Sequence, residues 1–243
     1  MKYTFYFMQE LKELWYNSLF SDLIVTLILC VACYLSITNR SKHPEYRFFP
    51  IYFFSFLLLE LTFYSAYFFI EGSPTYDKLD RMTHYFDIVV TFIELLTFMY
   101  FFHFILKNER NKKIIIWLTL VFITLSLSLI INDIFDSGKL YYGSSTTIYI
   151  LECVCFIVSC VFYYKELFTG LPKVNLFREP NFWTVSGVAF FSICTLPITF
   201  TLNYFQKTDY VTYQTIFIVI NVFYILLFLM IIKSYLCKVA RSV

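Results

Sequence analysis

The stretch 83–106 reads THYFDIVVTFIELLTFMYFFHFIL. A helix needs about 20 mostly apolar residues to cross the hydrocarbon core of a bilayer, and this run supplies them. A strand of a membrane barrel is about half as long and alternates apolar with polar residues, which this run does not. Yet it carries Asp87 and Glu94, seven residues apart and therefore on one face of a helix. The stretch predicts a membrane-spanning helix and, on it, an acidic stripe that cannot face lipid.

Working outward, six further runs have the same character: approximately 19–39, 48–71, 114–132, 145–165, 182–205 and 212–236. The links between them are short and leave no room for a soluble domain. Hydrophobic residues make up 59% of the chain and charged residues only 15%, too little polar surface for a water-soluble fold. The expected fold class is all-α: an integral membrane bundle of seven helices, one domain over 19–243. Ahead of it, residues 1–18 place Leu11, Leu14, Trp15 and Leu19 at helical spacing, the pattern of a short interfacial helix. Glu10, Lys12 and Glu13 interrupt this segment and no small-residue cleavage site follows, so it does not read as a signal peptide. Pro197 falls inside the sixth run, where it frees a carbonyl; Thr199, Thr201 and Ser192 are the nearby side chains expected to compensate.

Basic residues alternate from link to link. Arg40, Lys42 and Arg47 lie in the first, Lys107, Arg110, Lys112 and Lys113 in the third, Lys165, Lys173 and Arg178 in the fifth. Lys233, Lys238 and Arg241 lie at the C-terminal end. Basic links stay in the cytoplasm, so the N-terminus is expected outside and the C-terminus inside. The expected location is the plasma (inner) membrane, multi-pass, with the lipid bilayer as the first partner. The basic cytoplasmic links suit a protein partner. A net charge of +2 gives no sign of nucleic acid, and homo-oligomerisation stays open.

Polar residues share faces on several helices. The third run sets Asp80, His84, Asp87, Thr91 and Glu94 on one stripe, and the second sets Glu60, Tyr64, Tyr67 and Glu71 on another. Ser145, Tyr149 and Glu152 line up on the fifth run, Ser192, Thr195, Thr199 and Asn203 on the sixth, and Gln214, Asn221 and Tyr224 on the seventh. These stripes lie mostly in the outer half, whereas below Glu94 come Phe98, Met99, Tyr100, Phe101 and Phe102. The expected candidate site is an outward polar pocket lined by Asp87, Tyr64, Tyr67, Thr91, Tyr149, Asn203, Gln214 and Asn221. Its floor, at mid-bilayer, is Glu60, Glu94 and Glu152, three acids expected to meet in one cluster. No lysine or arginine lies at that depth, so the acids are protonated, hydrogen-bonded or neutralised by a cation. The alternative is that each glutamate only anchors one helix to the next.

Catalytic and cofactor motifs are missing. The chain has no HExxH, no Gly-x-Ser-x-Gly and no phosphate-cradling glycine loop. His43, His84 and His103 are too scattered for a three-histidine zinc site. Asp80, His84 and Asp87 share a face, but at a solvated helix end. Lys233 is too near the end of its run for a retinal Schiff base. Cys30 and Cys33 have redox spacing but no second Cys/His pair; the cysteines are expected as packing residues. No metal, no cofactor and no enzyme activity is expected.

FIELLTF (Phe92–Phe98) and ILECVCF (Ile150–Phe156) each place a phenylalanine four residues after a glutamate. Glu94 belongs to a wider pattern. It includes Glu152 leading to Tyr163-Tyr164-Lys165-Glu166-Leu167, Glu179-Pro180-Asn181-Phe182-Trp183 followed by Gly187, and Asn221. With these residues the chain resembles, over nearly its full length, the uncharacterised seven-span membrane proteins of Bacteroidetes-type bacteria. Those are similar to the seven-span sensor regions that accompany histidine kinases. Ser192 and Thr195 depart from the pattern, standing where aromatic or small residues often do. The resemblance implies sensing or signalling and no particular reaction. The expected function is a receptor-like or sensory membrane module coupled to a separate partner protein. The alternatives are a proton- or cation-coupled transporter or channel, and a membrane subunit of a larger assembly such as a secretion or defence system.

Overall fold

The structure, a computed structural model, describes residues 2–39, 44–70, 76–137, 142–170, 176–208 and 210–237. Side chains are described over 20–39, 44–62, 85–133, 135, 145–169, 176–202, 204–205, 208, 212 and 215–237. Among the described residues there are seven long helices and no strand: α1 (Lys2–Asn39), α2 (Phe49–Ile70), α3 (Tyr76–Ile105), α4 (Glu109–Ser137), α5 (Tyr142–Gly170), α6 (Pro180–Thr208) and α7 (Tyr210–Leu236). Two single 3-10 turns join them, η1 (Pro44–Tyr46) and η2 (Leu176–Arg178).

Six of the helices are long and apolar enough to cross a membrane, over Phe20–Asn39, Tyr85–Ile105, Glu109–Asp133, Ser145–Thr169, Pro180–Leu202 and Thr215–Leu236. By length and composition the chain is a multi-pass membrane protein. In α2 only residues 49–62 are described with their side chains, fewer than a span requires. The stretch 1–18, expected as an interfacial helix, runs from Lys2 into the first span as part of α1; its side chains lie outside those described.

The helices close into a ring. α1 packs on α2 and α7, α2 on α3, α3 on α5, α5 on α6, and α6 on α7, while α4 lies outside against α3 and α5. On α1 the inward residues Val25, Leu29, Ala32 and Ser36 recur at spacings of four, three and four, one helical face. The outward face of the same helix carries Leu23, Leu27, Val31 and Tyr34. α4 turns Ile116, Trp117, Leu120, Val121 and Leu125 outward. An exterior this apolar requires lipid as its solvent. α6 and α7 approach closely at Gly187, where an added Cβ would lie 3.1 Å from the Met230 Cβ. A residue without a side chain lets two membrane helices approach in this way.

The end of the bundle that carries η1 is packed and aromatic. Phe98 of α3 sits at its centre, edge-on to Phe49 at 5.2 Å, Tyr52 at 5.6 Å and Phe156 at 5.3 Å. Tyr46 of η1 is fully buried beneath them, stacked on Phe101 at 5.2 Å and beside Tyr235 at 5.1 Å. Its hydroxyl donates to Asn181 Oδ1 at 3.1 Å and meets Thr184 Oγ1 at 3.1 Å. Burial pushes this hydroxyl up from its ordinary value, so it stays protonated and neutral.

The α3–α4 link is fastened to α5 by one carboxylate. Glu166 accepts the Lys107 N–H at 2.7 Å, the Asn108 N–H at 3.2 Å and the Asn111 amide at 2.6 Å. Asn108 caps α4 through the Arg110 N–H at 2.9 Å. Glu166→Ala removes the carboxylate from three donors, and bonds to a charged group are worth about 1.5–3 kcal/mol when buried. With this link largely exposed, a loss of about 1 kcal/mol is expected. Amide hydrogen exchange at Lys107 and Asn108 checks it: both should exchange faster in the variant, while amides in the core of α3 stay unchanged.

Pro197 leaves the helix of α6 unbroken but frees the Ile193 carbonyl. The expected compensation is not found. Thr199 donates instead to Thr195 O and Thr201 to Ile198 O, and the Ser192 hydroxyl has no partner. All seven cysteines are free thiols; Cys153, Cys155 and Cys160 are buried and Cys30 is exposed.

Candidate functional site

Helix pairing sets the heights of the polar groups. Tyr52 beside Phe98 fixes the register of antiparallel α2 and α3. Glu94 therefore stands one turn above the Phe98 layer. Glu60, eight residues beyond Tyr52, stands about 12 Å above it. On α5 Glu152 stands one turn above Phe156, which packs on Phe98. The acids fall into two tiers.

The inner tier is Glu94 and Glu152. Both are nearly inaccessible, at 3% and 4% exposure, and they lie within electrostatic reach of each other. The Oε1 atom of each is buried without a hydrogen-bond partner. The Tyr52 hydroxyl lies against the Glu94 carboxyl, yet outside hydrogen-bond geometry, and is itself unpartnered. Tyr224 of α7 borders the tier, its ring 4.5 Å from Phe191 and 5.8 Å from Phe228. On the α6 side the Cys153 thiol meets the Thr195 hydroxyl at 3.6 Å.

The outer tier is Asp22, Glu60 and Asp87. Tyr149 donates to Asp87 Oδ2 at 2.5 Å, tying α5 to α3. Asn221 donates to Asp22 Oδ1 at 2.5 Å and to Ser21 Oγ at 3.1 Å, tying α7 to α1. Half-buried Glu60 lies within reach of both Asp22 and Asp87, and Asp87 in turn within reach of Glu94 and Glu152. Thr91 bonds back to Asp87 O at 2.9 Å, so its oxygen, not its proton, is free for other contacts.

Among the described residues no lysine, arginine or histidine pairs with any of these five acids; the ion pair present is Lys112–Glu109, at 2.8 Å. No group of three His, Cys, Asp or Glu residues among them is placed to hold a metal ion. No family model, no curated protein and no solved structure matches this chain. What the site does therefore rests on its own geometry.

Of the residues read from the sequence, the structure brings Glu94 and Glu152 together and places Asp87, Thr91 and Tyr149 above them. Asn221 belongs to the outer tier. Glu60 joins it too, linked to the two inner glutamates through Asp87 rather than directly. Tyr64, Tyr67, Asn203 and Gln214 lie outside the residues with described side chains, as do Asp80 and His84. Sequence reasoning missed Asp22, Ser21 and Tyr52. Asp22 carried a usable signal, being an acid within the first apolar run. Tyr52 carried none, because it stands in a run of aromatics and only packing singles it out.

Chemically, the arrangement suits a proton or a small cation. Two carboxyl groups facing each other in a medium of low dielectric do not both ionise, and an unpaired charge there is costly.

Proposed function

We propose that this chain is a receptor-like, sensory module of a bacterial inner membrane, with seven spans, the N-terminus outside and the C-terminus in the cytoplasm. The polar tiers then face the outside and the η1 end faces the cytoplasm. The basic links at that end receive a separate partner protein. Kinship with seven-span sensor regions is part of the same proposal. The observation that carries it is the dead end: polar groups line the bundle axis down to Glu94 and Glu152, and the next layer is the packed ring of Phe98, Phe49, Tyr52 and Phe156. A site that ends on a closed aromatic floor suits binding and coupling rather than passage.

A second reading, a proton- or cation-coupled transporter, is favoured by the succession of acids from Asp22 and Glu60 through Asp87 to Glu94 and Glu152. Intramembrane acids in series are the usual parts of a relay. It requires the aromatic floor to open.

One preparation separates the two. A variant lacking the seven cysteines, with Lys113→Cys near the start of α4 where the native side chain is exposed, is labelled with an environment-sensitive fluorophore and sealed into vesicles. A shift in fluorescence on changing the outer pH or salt, without proton or cation uptake into the vesicle, is the sensory result. Uptake above that of empty vesicles would decide for transport. In intact cells the thiol introduced by Lys113→Cys should react with an impermeant reagent only after permeabilisation; labelling from outside would reverse the orientation.

A further inference from the structure

Three oxygens of the inner tier are buried and lack a hydrogen-bond partner: Glu94 Oε1, Glu152 Oε1 and the Tyr52 hydroxyl. They come from α3, α5 and α2, and the three side chains lie within electrostatic reach of one another. Native interiors rarely leave one buried polar atom unmatched, and three together ask for a guest.

The charge of the guest follows from its surroundings. The titratable groups facing the pair are Tyr52 from α2, Asp87 from α3, Tyr149, Cys153 and Cys155 from α5, and Tyr224 from α7. α6 contributes Thr195, through Cys153, and no titratable group. None of these is cationic. With a cation bound, two facing carboxyls retain one proton between them, so the occupied pair sets one negative charge against one positive charge. Its free atoms are all oxygens, which select hard cations over zinc or copper. The absence of a third metal-ligating carboxylate or histidine among the described residues speaks against a divalent ion.

We infer that Glu94, Glu152 and Tyr52 hold one monovalent alkali cation, which enters as one carboxyl proton leaves. The exchange balances: the doubly protonated pair releases one proton for each cation bound. The inference rests on the sensory reading in one respect, that the polar tiers are reached from solution, and names the ligand class of that site.

The test uses the full chain purified in detergent. Sodium chloride is titrated against choline chloride at constant ionic strength, with the thermal midpoint and the release of protons into weak buffer as readouts. Sodium should raise the midpoint saturably, choline should not, and about one proton per chain should be released. The half-saturating sodium concentration should rise about tenfold per unit fall in pH, as one-for-one competition demands. Glu94→Gln and Glu152→Gln should remain folded by circular dichroism and lose both responses, while Glu166→Gln at the far end of α5 keeps them. Equal shifts in choline, no proton release, or a sodium response surviving in both glutamine variants overturns the site. A sodium response in detergent beside a silent fluorophore on the Lys113→Cys variant supports the site and removes the sensory reading. A responsive fluorophore with no sodium shift and no proton release overturns the site and leaves that reading standing.

Discussion

Tyr46→Ala is expected to unfold this protein more readily than any other change at the η1 end. The side chain is wholly buried, and removing a large aromatic from a packed core costs about 3–5 kcal/mol. Here the deletion also strands Asn181 Oδ1 and Thr184 Oγ1, which meet the hydroxyl at 3.1 Å. Tyr46→Phe separates the two contributions: it keeps the ring against Phe101 and Tyr235 and removes only the hydroxyl, at about 1–3 kcal/mol. Unfolding in mixed micelles of rising denaturing-detergent content measures both. Alanine and phenylalanine variants of equal stability would mean that the ring contributes nothing, against its placement between α2, α3 and α7.

Glu152→Leu should move stability the other way. Leucine matches the volume of the side chain without its orphaned Oε1. Burying a polar group without a partner costs about 1–3 kcal/mol on mutational scales, and a gain of that size is expected in the same micelle assay. Helix anchoring by glutamate predicts the opposite sign, since an anchor removed leaves its partner unsatisfied. A raised midpoint with loss of the sodium response marks a site kept at the expense of stability. A lowered midpoint would return Glu152 to a structural role.

Six of the seven expected spans were legible, because length and hydropathy report directly on lipid. Their ends were less so. The run 114–132 became α4 over Glu109–Ser137, and 182–205 became α6 over Pro180–Thr208, since a helix continues past the hydrocarbon until something caps it, as Asn108 does for α4. The stripe of Asp87, Thr91 and Glu94 was legible from spacing alone. The height of Glu60 was not. Counting from the ends of apolar runs sets it level with Glu94, whereas the Tyr52–Phe98 contact sets it a turn higher. Register between helices is a tertiary fact. For the same reason Asp22 reads as the edge of a span until Asn221 is set against it.

That last contact has a bearing on how the chain is made. Asp22 and Asn221 stand 199 residues apart. At roughly 5–20 residues per second of synthesis, about 10–40 seconds pass between the ribosome's release of one and of the other. For that interval the first helix carries an acid that its eventual partner cannot yet cover. It must be sheltered, by the insertion machinery or by water at the membrane surface, until the seventh helix comes alongside. Ring closure between the first and seventh helices is thus a late step of assembly, and a nascent chain stalled before Asn221 leaves Asp22 without that amide.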